Sequence, residues 1–217
     1  MAESLNVYTV ILGDLIGSSY LQDRQELAGR IEECLTSLNR ISKDFHAPLT
    51  LSKGMDELTG VLVRPGETFR ICMLLNEEVY PLNFRFAVAE GSIDVGLKSG
   101  DARKMDGQAF HKAARIMRSL KSTDYYFGFD LAAPLDGVNS MISQLANLAA
   151  VIAAERTPRQ NEIFRLYRMM GSQVKVADKL GISQQAVSDA LRSARWNDLL
   201  RTEQIITEVL DRGRPEA

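Results

Sequence analysis

Cysteine, histidine and tryptophan are scarce in this chain, with two, two and one among 217 residues. Two thiols cannot build the disulfide framework of a small secreted domain. Cys34 and Cys72 stand among apolar, helix-patterned neighbours (RIEECLTSL and FRICMLL) with no metal-ligand spacing, so buried reduced thiols are expected. No apolar run nears the ~18–20 residues that span a bilayer, so no membrane partner is expected. The opening MAESLNVYTVILGD has no basic stretch ahead of its apolar run, which stops at Asp14, and a cytoplasmic location is expected. Internal repeats and low-complexity tracts are also missing.

What is present is ordinary for a globular protein, 45% hydrophobic and 25% charged. The length suits one domain of about 130 residues plus a small one. The net charge of −2 hides an asymmetry: from Arg156 to Arg201 nine basic residues face four acidic ones, a local balance of +5. A basic segment on an acidic body points to a phosphate-binding module carried by a separate domain.

Along the chain, NVYTVIL (6–12) reads as a buried strand ending at Gly13-Asp14. A helix from Asp23 to about Phe45 follows, and APLTLSKGMDELTGVLVRPG reads as two strands turning near Gly54. Thr68–Val79 is helical, NFRFAVAEGSIDVG is a central strand with a bend at Gly91, Gln108–Leu120 is a helix, and DYYFGF is a last strand. The order β-α-β-β-α-β-α-β predicts an α+β fold of ferredoxin-like, palm-like plan, a mixed sheet with helices on one face. Beyond Pro134, Leu135, Val138, Ile142, Leu145, Ala149 and Ile152 make a helical seam that packs either on its own domain or between two chains. The expected units are 1–133, a connecting helix 134–156, and a helical module 157–217.

That module carries the most specific signal. Thr157-Pro158 is a helix start, Gly171 a helix stop, and Gly181-Ile182-Ser183 a short turn before a third helix predicted over Gln184–Trp196. Val187, Leu191 and Ala194 face inward, which leaves Gln184, Gln185, Ser188, Asp189 and Arg192 outward, with Ser183 and Arg195 at the two ends. Glutamine pairs with adenine and arginine with guanine or phosphate, so these side chains are the expected contacts to double-stranded DNA. The segment TPRQNEIFRLYRMMGSQVKVADKLGISQQAVSDALRSAR resembles the helix-turn-helix of sigma-factor region 4 and related bacterial regulators. Trp196 is expected as a core plug rather than a base-stacking residue.

Three amino-terminal fragments raise a nucleotide site. In Gly13-Asp14-Leu15-Ile16-Gly17-Ser18-Ser19 a strand ends in a carboxylate before a small-residue loop that offers amides to phosphate. Lys53-Gly54-Met55-Asp56-Glu57 sits at the hairpin tip, where Asp56 and Asp14 are expected to converge on one divalent ion. Gly107, His111 and Arg115 share the start of one helix, the last two four residues apart on one face.

Together these fragments resemble the SatD-like family of bacterial proteins and, more distantly, the class III nucleotidyl cyclase catalytic domain, from about Val7 to Phe129. The resemblance implies Asp14 and Asp56 as metal ligands for Mg²⁺ or Mn²⁺. It implies Gly17, Ser18, Ser19, Lys53, Gly107 and Arg115 as contacts to a nucleotide, and His111 and Arg115 as candidate catalytic groups. Met55 stands where cyclases have glycine, Lys53 is offset by one from the base-recognising position, and His111 replaces an asparagine. These departures favour a shared fold over cyclase activity. The implied whole is a bacterial transcriptional regulator, acting as a homodimer, whose sheet domain senses a nucleotide. The rivals are a nucleotide-processing enzyme and a protein-interaction adaptor.

Overall fold

Strand β1 (Tyr8–Leu15) divides its side chains between two cores, because successive strand residues point to opposite faces. Val10 and Leu12 join one core, while Ile11 and Leu15 join the other. The computed structural model describes residues 7–17, 24–53, 56–132 and 137–212. Ser18, Ser19, Gly54, Met55 and Leu135 fall outside them, and so does the side chain of Lys53.

After β1 come α1 (Arg24–Ile41), β2 (Phe45–Lys53), β3 (Glu57–Leu62), α2 (Thr68–Val79), β4 (Phe84–Gly91), α3 (Gln108–Lys121) and β5 (Phe127–Asp130). The expected element order therefore holds. The sheet runs β2-β3-β1-β4-β5, antiparallel except where β5 lies parallel to β4. The first four strands keep the ferredoxin-like arrangement and β5 extends it. β1 continues through Asp14 to Leu15, past the expected end, because Asp14 pairs with Glu57 on β3 and Arg85 on β4.

The helices lie on both faces of the sheet, not on the single face that the element order predicts. Leu27, Ile31, Leu35 and Leu38 of α1 and Phe69, Cys72 and Leu75 of α2 pack against Ile11, Leu58, Leu62, Phe84 and Phe86. Ala109, Ala113 and Met117 of α3 cover Val10, Ala47, Val61, Ala87 and Ala89 on the opposite face. Both sheet faces are buried, which is why β1 and β4 read as nearly continuous apolar runs.

Helix α4 (Val138–Ala154) solves the problem of the exposed sheet edge. The outward amides of β5 find acceptors on one polar stripe of α4. Phe127 N–H donates to Asn147 Oδ1 at 2.9 Å, Phe129 N–H to Ser143 Oγ at 3.0 Å, and Leu131 N–H to Asn139 Oδ1 at 3.1 Å. The two asparagines also donate to the carbonyls of Phe127 and Leu131, at 2.8 and 3.0 Å. The periods match: four helical residues rise about 6 Å and two strand residues about 6.6 Å, so i, i+4, i+8 on the helix tracks i, i+2, i+4 on the strand. Of the seam expected on α4, Ile142 and Ala149 turn into the core and Ile152 stays exposed, as do Met141, Leu148 and Val151, which lie outside the seam.

The chain closes with α5 (Pro158–Met170), α6 (Gln173–Leu180), α7 (Gln184–Ser193) and α8 (Trp196–Asp211). Phe164 of α5 and Leu199, Ile206 and Leu210 of α8 lie in the same cluster as α2 and the sheet, so the core runs past the boundary expected near residue 156.

Asn147→Ala strands the amides of Tyr126 and Phe127, both of which donate to its side chain. A loss of about 3 kcal/mol in urea unfolding is expected, against about 1 kcal/mol for Ser143→Ala. Losses under ~0.5 kcal/mol for both would show that the edge does not need this cover.

Candidate functional site

Thr157 opens α5 with a reciprocal cap: its hydroxyl accepts from Gln160 N–H at 3.2 Å and its own N–H donates to Gln160 Oε1 at 2.8 Å. Gly171 and Gly181, at φ 63° and 64°, end α5 and α6 in the left-handed conformation that a side chain would strain. Ser183 caps α7, accepting from Ala186 N–H at 3.1 Å. Ile163, Val176, Ala177, Val187 and Leu191 then form a small separate core.

Sealing Val187 and Leu191 leaves the expected edge outward. Ser183, Gln184, Gln185, Arg192 and Arg195 are exposed, and Ser188 and Asp189 are half-buried. Asp189 organises its neighbours, accepting from Gln185 Nε2 at 3.1 Å and from Arg192 Nη2 at 2.5 Å. α7 is shorter than expected. Arg195 at φ 57° breaks the helix, and Trp196 begins α8, where its ring packs edge-on against Phe164 and Tyr167 at 4.6 and 4.8 Å.

Part of the basic segment turns inward. Arg168 donates to both carboxylate oxygens of Glu77 on α2 (3.1 and 2.9 Å) and to both of Glu203 on α8 (2.9 and 2.6 Å). Arg156 lies 3.7 Å from Glu77 and stacks over the Phe164 ring at 3.5 Å. Arg165 pairs with Glu78, and Asn161 Nδ2 donates to the Glu77 carbonyl at 3.0 Å. Burial pushes Glu77 up and Arg156 down to about 10. Burial also opposes the charge of Arg168, but the Glu203 hydrogen bond and the two carboxylate charges outweigh it and hold Arg168 above its ordinary value. Three of the nine basic residues thus fasten α5 to α2 and α8, leaving Lys175, Lys179, Arg192 and Arg195 among the exposed ones. A sequence signal for Glu203 exists: it occupies the apolar seam of α8 between Leu199 and Ile206.

The amino-terminal fragments are distributed differently. Asp14 meets Lys121 Nζ at 2.5 Å and Arg85 at 4.0 Å. Its cross-strand neighbour is Glu57, whereas Asp56 contributes its carbonyl to Leu15 N–H at 2.7 Å. Gly17 adopts φ 75°. Gly107 begins α3 at φ 155°, where a Cβ would stand 2.6 Å from the Ser92 carbonyl oxygen. His111 lies 3.4 Å from Asp106, and Arg115 donates to Asp130 at 2.8 Å beside Lys112 at 3.1 Å. Lys121 and Arg115 are six residues, about 9 Å, apart along α3, and they serve different carboxylates. Among the described residues no three His, Cys, Asp or Glu side chains are grouped to hold a metal ion. Lys121 also lies 3.9 Å from Glu57, so Asp14 and Glu57 share that cation. Cys34, pushed up to about 12 by burial and then by the charge of Glu78, and the buried Cys72, raised by burial, offer no nucleophile.

Residues 8–210 match the SatD family. The chain belongs to the SatD family. Two solved structures of a bacterial light-regulated adenylyl cyclase are similar at 14% and 16% identity with TM-scores of 0.39 and 0.40. They cover 58% and 57% of this chain and 77% and 42% of theirs. The Regulator of Polyketide Synthase Expression from Bifidobacterium adolescentis is similar at 12% identity and TM-score 0.26, over 95% of this chain and 87% of that one. All three scores lie below 0.5, so the fold rests on the strand order itself. No curated protein matches.

Arg168→Ala leaves Glu77 and Glu203 buried and facing each other without their shared cation. It should cost about 3–5 kcal/mol in urea unfolding, and a loss under ~1 kcal/mol would remove the fastening role assigned to this cluster. Both thiols should stay unlabelled by iodoacetamide at pH 8 in the folded protein and react on unfolding, as mass spectrometry would read.

Proposed function

We propose that this SatD-family protein is a DNA-binding regulator in which α7 enters the major groove of a duplex. The observation that supports this reading is the α6–α7 pair. A short helix ends at a left-handed glycine, a three-residue turn ends in a capping serine, and a ten-residue helix presents a polar edge with its apolar side sealed. That edge bears the donors and acceptors that read base edges: Gln184 and Gln185 near the helix start, then Ser188 and Arg192. Lys175 and Lys179 on α6 are exposed cations of the kind that meet phosphates.

Asp189 contributes by order rather than by contact. Its carboxylate draws Gln185 and Arg192 into one row, so that less side-chain freedom is lost on docking. A single α7 reads one half-site, and two copies are expected on half-sites about 34 Å apart along the duplex. The sheet unit is read as the scaffold that fixes where α7 points.

Fluorescence anisotropy with labelled duplexes tests the reading. Sites selected from a random 20-base-pair library should bind with an affinity that falls at least about tenfold between 50 and 200 mM salt, since three or more phosphate contacts release counterions. Gln185→Ala and Arg192→Ala should narrow the gap between selected and random duplexes by about tenfold each. Binding that ignores salt, or no binding at 50 mM salt, would sink the proposal.

A further inference from the structure

Helices α5 and α6 are capped by left-handed glycines, Gly171 (φ 63°) and Gly181 (φ 64°), and at the α7–α8 junction Arg195 (φ 57°), which follows the α7 cap Ala194, is left-handed too. Glycine adopts this conformation without a Cβ clash, and it is the usual residue at such a stop. Arg195 is the single non-glycine residue with positive φ among the described residues. Its Cβ is crowded in a way that the other two junctions avoid.

Among the described residues nothing calls for arginine there. Its N–H donates to the Arg192 carbonyl at 3.2 Å and its carbonyl accepts from Leu199 N–H at 3.0 Å, bonds that any residue's backbone makes. Its side chain is 67% exposed and, among the described residues, pairs across one turn with Asp198, at 3.8 Å and 69% exposed, an arrangement that water screens. The side chain stands on the ridge between two clefts, one lined by Gln173, Ser188 and Arg192, the other by Gln160 and Ser193. Strain held at an exposed residue whose side chain makes only one screened surface pair points to a partner.

We infer that Arg195 is a phosphate anchor, a guanidinium kept at a strained junction to grip the duplex backbone where α7 leaves the groove. This rests on the DNA-binding reading and adds to it which residue sets the depth and angle of docking. Arg195 follows Gln185 by ten residues, about 15 Å along the helical direction, against a major groove about 12 Å wide. With Gln185 over base edges, Arg195 therefore reaches the flanking backbone. The planar guanidinium suits two phosphate oxygens at once, which an ammonium does not.

The two explanations of Arg195, architecture and contact, give opposite signs in one experiment. Arg195→Gly and Arg195→Asn both tolerate positive φ and both remove the charge. On the inference, each variant melts at a temperature equal to or above that of the parent chain. Each also binds a random-sequence duplex at least fivefold more weakly at 100 mM salt, with the slope of log affinity against log salt shallower by about one. Arg70→Gln, on the sheet unit, controls for loss of one positive charge and should leave affinity within twofold. A parent chain that binds duplex while both Arg195 variants bind equally well overturns the anchor and leaves the DNA reading intact. Variants that melt lower than the parent overturn it too, since arginine would then serve the fold. A parent chain that binds no duplex overturns the DNA reading first and the anchor with it.

Discussion

Three buried charges, Glu77, Arg156 and Glu203, together with the half-buried Arg168, decide how the carboxy-terminal helices sit on the sheet. Each comes from a different stretch: α2, the α4–α5 junction, α5 and α8. A buried set of this kind adds little stability over apolar side chains of the same size, because desolvation offsets the attraction. What it supplies is selectivity. Apolar faces slide past one another at small cost, but Arg168 is satisfied only when both carboxylates face its fork, and moving α5 by one turn would strand three charges in the core. The direction of α7 is therefore inherited from the sheet through α2.

This arrangement explains which features were legible beforehand. Caps, stops and turns are local events, so Thr157-Pro158, Gly171, Gly181 and Ser183 could be read from neighbours alone, and the order of elements followed from periodicity. Face assignment is not local. The apolar stripe of α3 reads equally well above or below a sheet, and only the alternation of small side chains, Ala47, Ala87 and Ala89 against Ala109 and Ala113, says which side it covers. The positive charge from Arg156 to Arg201 was legible as a total but not as a direction, because an arginine that pairs inward and one that faces solvent look alike in a string of letters. Phe164 escaped notice for the same reason: it belongs to the core of the sheet unit rather than to that of its own helical trio.

The Asp14 region shows the limit of motif reading. A carboxylate at a strand end followed by small residues suggests a cation site, and the nearby hairpin tip supplies a second acidic pair. Strand parity then selects Glu57 rather than Asp56 as the residue directly opposite Asp14, and α3, crossing that face, delivers Lys121 to the same carboxylate. The motif specified one residue's chemistry; the helix overhead specified its partner. His111 and Arg115 share the helix with Lys121 but lie turns away, each engaged with its own aspartate.

Helix α4 joins the edge of the sheet to the carboxy-terminal helices. Its polar stripe takes the place of a sixth strand along β5, its buried stripe of Ile142, Ala146, Ala149 and Ala150 joins the main core, and it contacts α8. The sheet is therefore connected to α8 twice, once through the α4 edge contacts and once through the charges on α2. Because only Ala194 and Arg195 separate α7 from α8, both connections end close to the edge proposed to meet DNA. A helix trio held at two points presents its polar edge at one angle, and on the proposed DNA-binding reading an edge held at one angle needs a firm grip where it leaves the groove. That requirement is why a strained arginine, rather than a relaxed glycine, makes physical sense at the junction of α7 and α8.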